Sequence, residues 1–208
     1  MKSNKRIILL CLLSVAVVFT TRAQRMSEAQ MKQVISKTAA EMRTLQCDFV
    51  QTKRSKLLSG SQTAQGRMAY SRAEKLRWEY TAPFRFALIM DGKRVLMKDN
   101  RGTHEADADQ QKVMSAMIRT MMDCVTGKNL SAAKDFSTAI TAKGTLWTAV
   151  LTPKRQDLSR AFSRMRISFD SRQGVITEVA LIERNGSETV IAFKNIKKNA
   201  ALSASTFK

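Results

Sequence analysis

A single histidine, His104, is all that 208 residues offer for imidazole chemistry. It stands in the polar run "RGTHEADADQ" with no HExxH around it, so it reads as a surface residue rather than a metal ligand or general base. Cysteine is as scarce. Cys11 lies inside an apolar run, and Cys47 and Cys124 are too far apart in sequence for a disulfide scaffold or a metal spacing. An oxidising compartment would permit one bridge between them. Cys47 shares a strand face with Leu45 and Phe49, which favours a buried free thiol. Glycine is sparse and forms no phosphate-cradling loop. Ser131-Ala132-Ala133-Lys134 matches SxxK, yet the partner KTG is missing, since Lys143-Gly144-Thr145 has the wrong order. No nucleophile with its base, metal set or carboxylate pair is legible, so neither an enzyme nor a cofactor is expected.

Long apolar runs are absent as well. Ile7 to Phe19 falls short of the roughly 20 residues that cross a bilayer. Lys2, Lys5 and Arg6 precede it and Thr21-Arg22-Ala23 follows, the pattern of a secretory signal peptide cleaved after about Ala23. Residues 1–23 are thus expected to be a leader and 24–208 one exported, periplasmic domain. The formal charge is +19, and it falls to +15 when Lys2, Lys5, Arg6 and Arg22 leave with the leader. Such a balance favours anionic partners, among them a transiently touched membrane surface. Nucleic acid is not expected, because an exported domain seldom meets it.

Ser27 to Thr44 has helical spacing in Met31, Val34, Ile35, Thr38 and Met42, with Ser27 as N-cap. From Leu45 the period becomes two. Turns at Gly60, Asp91-Gly92, Lys143-Gly144 and Asn185-Gly186 separate about ten strands. Between them, "QQKVMSAMIRTMMDCVTG" carries Val113, Met114, Met117, Ile118 and Met121 at helical spacing, and "KNLSAAKDF" suggests a short second helix. The expected fold is α+β, a curled antiparallel sheet with a leading helix and a helical insertion.

"KLRWEYTAPFRFALIMDGK", residues 75–93, is the greasiest part of that sheet. Leu76, Trp78 and Tyr80 share one face of its first strand. Phe84, Phe86, Leu88 and Met90 share one face of the second, and Ala87 and Ile89 are apolar on the reverse. Methionine is in excess, eleven residues after the initiator. Its flexible thioether suits a cover over variable apolar shapes.

These residues resemble the family of the periplasmic lipoprotein carrier LolA. The likeness is carried by "CDFVQTK", then "GRMAYSR", then "KLRWEYTAPFRFALIMDGKRVLMKD", and more weakly by "LTPK" at 151–154. It implies an open half-barrel capped by helices around an apolar cavity. It also implies carriage of lipoprotein acyl chains from an inner-membrane ABC exporter to an outer-membrane acceptor, by a monomer. On this reading Met68, Tyr70, Leu76, Trp78, Tyr80 and Phe86 line the cavity, and Met117 and Met121 cover it. Arg72, six residues before Trp78, corresponds to the family's arginine that latches the lid. The chain departs from the family at Ala73, where proline is usual, at Leu76, where an aromatic is common, and in a short C-terminus. A relative carrying another lipid, or an envelope interaction module with a filled core, are the alternative readings.

Overall fold

The computed structural model describes residues 26–56, 60–107, 109, 122–123, 126, 130, 135–203 and 205–208. Its first element, α1 (Glu28–Glu41), begins with a reciprocal cap. The Gln30 N–H donates to Ser27 Oγ at 3.3 Å, and the Ser27 N–H donates to Gln30 Oε1 at 2.8 Å. Two of the amides that a helix start leaves unpaired are thereby satisfied. Met42 then adopts an extended conformation and ends the helix. Met31, Ile35, Thr38 and Ala39 form its buried side, the i, i+4, i+7, i+8 stripe of a helix lying on a core.

Among the described residues the strands that follow form one antiparallel sheet. Its strands are β1 (Thr44–Arg54), β2 (Ser61–Ser71), β3 (Lys75–Ala82), β4 (Phe86–Asp91), β5 (Arg94–Asp99), β6 (Gly102–Glu105), β7 (Phe136–Lys143), β8 (Leu146–Pro153), β9 (Phe162–Asp170), β10 (Val175–Glu183) and β11 (Glu188–Lys198). The spatial order is β6-β5-β4-β3-β2-β1-β11-β10-β9-β8-β7. Two meanders, β1–β6 and β7–β11, therefore meet where the first strand pairs with the last, Phe49 opposite Phe193. The sheet stays open between its edges β6 and β7, an open half-barrel.

Two elements differ from the sequence expectation. The polar run around His104 supplies the eleventh strand, β6, whose four residues are all exposed. A solvent-facing edge strand needs no apolar alternation, which is why its sequence looks like a turn. Gln156–Ala161 forms a one-turn helix, α2, between β8 and β9. The Met-rich insertion falls almost wholly outside the described residues.

Alternation puts one face of every long strand on the core. Phe49, Leu76, Leu151, Ile167 and Phe169 are at most 1% exposed there. The reverse of β4 is also apolar, and a second small core covers it. Phe207, from the C-terminal tail, packs with Ala87 and Ile89 beside Leu202. Asn199 starts that tail in a left-handed conformation, φ 59°. Its side chain accepts from the Arg43 N–H at 2.7 Å and donates to Glu41 O at 3.2 Å, tying the tail to the exit of α1.

Candidate functional site

The concave wall is built by register. β2 and β3 place Met68 opposite Trp78 and Tyr70 opposite Leu76. β3 and β4 place Trp78 opposite Leu88 and Tyr80 opposite Phe86. Cross-strand partners share a face, so Met68, Tyr70, Leu76, Trp78, Tyr80 and Phe86 come together on the core side. Gly66 makes this packing possible. A Cβ at that position would lie 2.3 Å from Phe49 Cζ and 2.1 Å from Glu79 O. Without it, the Phe49 ring settles over the backbone and stacks on Trp78 at 4.2 Å.

The wall has two ends. Antiparallel alternation gathers the β2–β3, β4–β5, β7–β8 and β9–β10 turns at one end, and α1 closes it. Arg72, in the β2–β3 turn, donates through Nη2 to Ala39 O at 3.3 Å and to Ala40 O. Both carbonyls belong to the last turn of α1, where a cation is also favoured by the helix dipole. Thr38 packs on the β9–β10 turn so closely that a Cβ on Gly174 would sit 2.5 Å from its Oγ1. At the helix start, the Lys32 ammonium holds Glu28 below the usual carboxylate range, and the backbone amide of Ile140 on β7 adds to this.

At this closed end the wall is sealed. Met68, Tyr70, Leu76 and Trp78 are 1–4% exposed. Burial pushes the Tyr70 hydroxyl pKa up, with Arg72 lowering it and Asp123 raising it. Burial likewise pushes the Cys47 thiol up to about 12, so the thiolate that would react scarcely forms. Trp78 Nε1 is buried with no hydrogen-bond partner among the described residues. An orphan donor of this kind costs about 1–3 kcal/mol.

The opposite end opens. A pocket of about 720 Å³ lies there, bounded by Gln51, Lys53, Tyr80, Pro83, Phe84 and Phe86. The Tyr80 hydroxyl donates to Gln51 Oε1 at 3.0 Å. Phe84, 52% exposed, leans on Tyr80 with ring centroids 5.2 Å apart. Tyr80 in turn meets Phe49 edge-on at 5.4 Å, and Trp78 meets Phe193 edge-on at 6.4 Å. An unbroken ladder of rings thus runs from solvent at Phe84 into the core.

The structure brings six of the proposed lining residues onto one face, four sealed and two, Tyr80 and Phe86, at the open pocket. Met117 and Met121 lie outside the described residues, as does Cys124. Phe84 lines the pocket although the sequence reading left it out of the lining. Its place beside Pro83 at the strand end was the available signal, because such a position belongs to a rim. A second hollow, about 540 Å³, lies on the reverse face beneath the C-terminal tail. Charged residues, Arg67, Arg77, Glu79 and Lys98 among them, stand in its walls beside Ala69. Among the described residues no group of His, Cys, Asp and Glu could hold a metal ion, and no helix is long and apolar enough to cross a membrane.

The model of the family described as "Outer membrane lipoprotein carrier protein LolA" matches residues 40–208. An outer-membrane lipoprotein carrier protein of Chromobacterium violaceum is 28% identical, covering 93% of this chain and 88% of its own. One from Dechloromonas aromatica is 31% identical, covering 80% of this chain and 76% of its own. Among solved structures, the MucA/MucB complex of Pseudomonas aeruginosa contains a chain that superposes with a TM-score of 0.54 at 11% identity. That match covers 86% of this chain but only 59% of the other, and it speaks to the fold alone.

Proposed function

The chain belongs to the LolA family, and from that premise we propose that it is a periplasmic carrier of lipoprotein acyl chains between the inner and outer membranes. The observation that carries this reading is the ring ladder, an apolar wall that starts exposed at Phe84 and continues without a polar break into the concave core. Each methylene left in water costs about 0.8 kcal/mol, so a 16-carbon chain costs on the order of 13 kcal/mol. Chains that costly need a shield to cross water. Shielding needs an apolar wall and a cover and no catalytic step. Tyr80 and Phe86 would receive the chain first.

In this reading residues 1–23 direct export and are removed, and the mature chain acts as a monomer. An inner-membrane ABC exporter loads it. Release goes to an outer-membrane acceptor that binds the chains more tightly, because the sequence offers no phosphate-binding loop to spend nucleotide. The test is extraction. The purified mature protein should release acylated lipoproteins from inner-membrane vesicles and bind a fluorescent fatty acid. Tyr80→Glu should lower the affinity for that probe at least tenfold. Failure of both extraction and probe binding would end the proposal.

The sealed state of Met68, Tyr70, Leu76 and Trp78 favours a second reading, a non-transport envelope module whose core is filled. Native mass spectrometry separates the two. A carrier retains lipid, or takes it up when offered, whereas a filled module does neither.

A further inference from the structure

We propose that the β3–β4 turn, with Phe84 at its crest and Arg85 beside it, is a tip that docks the open mouth onto an anionic lipid surface. The inference rests on the carrier reading of the same mouth and adds to it the surface that the mouth meets. Phe84 is the exposed aromatic among the described residues, and its neighbours Thr81 to Arg85 are all exposed. An aromatic ring held out in water at a pocket rim is costly unless something covers it, and aromatic rings are favoured at the membrane–water boundary.

The charges around it choose the partner. The β1–β2 turn lies at the same end and brings Lys53, Arg54 and Lys56, all exposed. Among the described residues, the contacts of Lys53 and Arg54 to carboxylates are long, 3.8 Å to Glu183 and 4.0 Å to Glu188. Lys56 and Arg85 have no ion pair among the described residues. Arg85 adjoins the ring in sequence and Lys53 lines the same pocket, while the Lys56 side chain lies against Gly186 in the β10–β11 turn at the same end. An exposed ring at an end with this excess of cations fits a negatively charged bilayer, where each basic side chain near the surface adds to the attraction. Phe84 also touches Tyr80. A chain drawn from the bilayer beside it would therefore meet apolar surface at once and never be fully solvated.

The experiment is sedimentation of the full mature chain with vesicles of phosphatidylethanolamine containing one quarter phosphatidylglycerol, at low salt, alongside uptake of a fluorescent fatty acid. The wild type should bind these vesicles and bind pure phosphatidylcholine far less. The pair K56Q/R85Q should lose about thirtyfold in partitioning, roughly fivefold per cation, with unchanged thermal midpoint and unchanged probe uptake. F84S should also weaken binding, and F84W should shift its emission to the blue when vesicles are added. Equal binding by wild type and K56Q/R85Q would overturn the proposal. So would a wild type that takes up the probe but ignores the vesicles, which would assign the tip to a protein acceptor. Charge-dependent vesicle binding without probe uptake would support the docking tip and remove the carrier reading instead.

Discussion

The two ends of the concave wall are made from the same strands yet finished differently. Towards the end where α1 sits, Leu76 and Trp78 are 1% and 3% exposed, and the Arg72 guanidinium bonds the last turn of α1 to the β2–β3 turn. At the mouth, two residues further along β3 and across the β3–β4 turn, Tyr80 and Phe86 are half-buried and Phe84 stands in water. The strand alternation is continuous through both. What differs is whether another element lies on top, so a single amphipathic strand can be core at one end and binding surface at the other. Sequence periodicity identifies the face and is silent about its cover.

Mutations in the sealed part of the wall should act on stability and those at the mouth on binding, and the largest effects test the Phe49–Trp78 stack, which lies midway between the two ends. Phe49→Ala removes a ring that is 1% exposed and stacked on Trp78, and should destabilise by about 3–5 kcal/mol in urea unfolding. Gly66→Ala, a single methyl on the same spot, should cost about 3 kcal/mol because Glu79 O and Phe49 leave no room. If Gly66→Ala were neutral, the Phe49–Trp78 stack would be far looser than described. Arg72→Ala should cost about 2 kcal/mol, with faster amide exchange in the last turn of α1, since two carbonyls lose a charged donor.

Smaller effects sharpen the contrast. Tyr80→Phe removes only the bond to Gln51 and should cost about 1 kcal/mol while leaving fatty-acid probe affinity within twofold. The Cys47 thiol, ordinarily near 9 and pushed up to about 12 in the fold, has a defined pH signature. Its folded value lies above its unfolded one, so its contribution is complete below about 9 and is lost as pH rises towards about 12. Unfolding stability should therefore decline over that window in the wild type and decline less in Cys47→Ala. Native protein at pH 8 should leave Cys47 unalkylated by iodoacetamide, as mapped by mass spectrometry.

Much of the fold is legible in local chemistry. Asp91-Gly92, Lys143-Gly144 and Asn185-Gly186 mark hairpins, and positive φ at Gly92, Gly144 and Gly186 gives the reason. Ser27 announces α1, although Gln30 as the reciprocal partner of its cap was not singled out. β6 and α2 were missed because neither buries an apolar stripe of its own. The face shared by Met68, Tyr70, Leu76, Trp78, Tyr80 and Phe86 could be read from alternation and likeness together. Their division into sealed and open sets could not, since it depends on α1 and the mouth turns in three dimensions. The apolar reverse of β4 was visible in Ala87 and Ile89. Its cover, Phe207, lies more than a hundred residues away, and no local pattern pairs the two.

The seam between β1 and β11 has a consequence for how the molecule assembles. Within either meander, neighbouring strands are also neighbours in sequence, and each hairpin can form early from nearby partners. The seam cannot. Asn199 reaches Arg43 across 156 positions, and Leu45 pairs with Lys198. The first long strand must wait, with one edge unpaired, until nearly the whole chain is present. Loop closure across such a span is entropically expensive and belongs to the slow steps of folding. The continuous apolar wall exists only once the two meanders have joined. A chain cut short before β11 would present two half-sheets with exposed edges, species prone to pair with each other rather than to hold cargo.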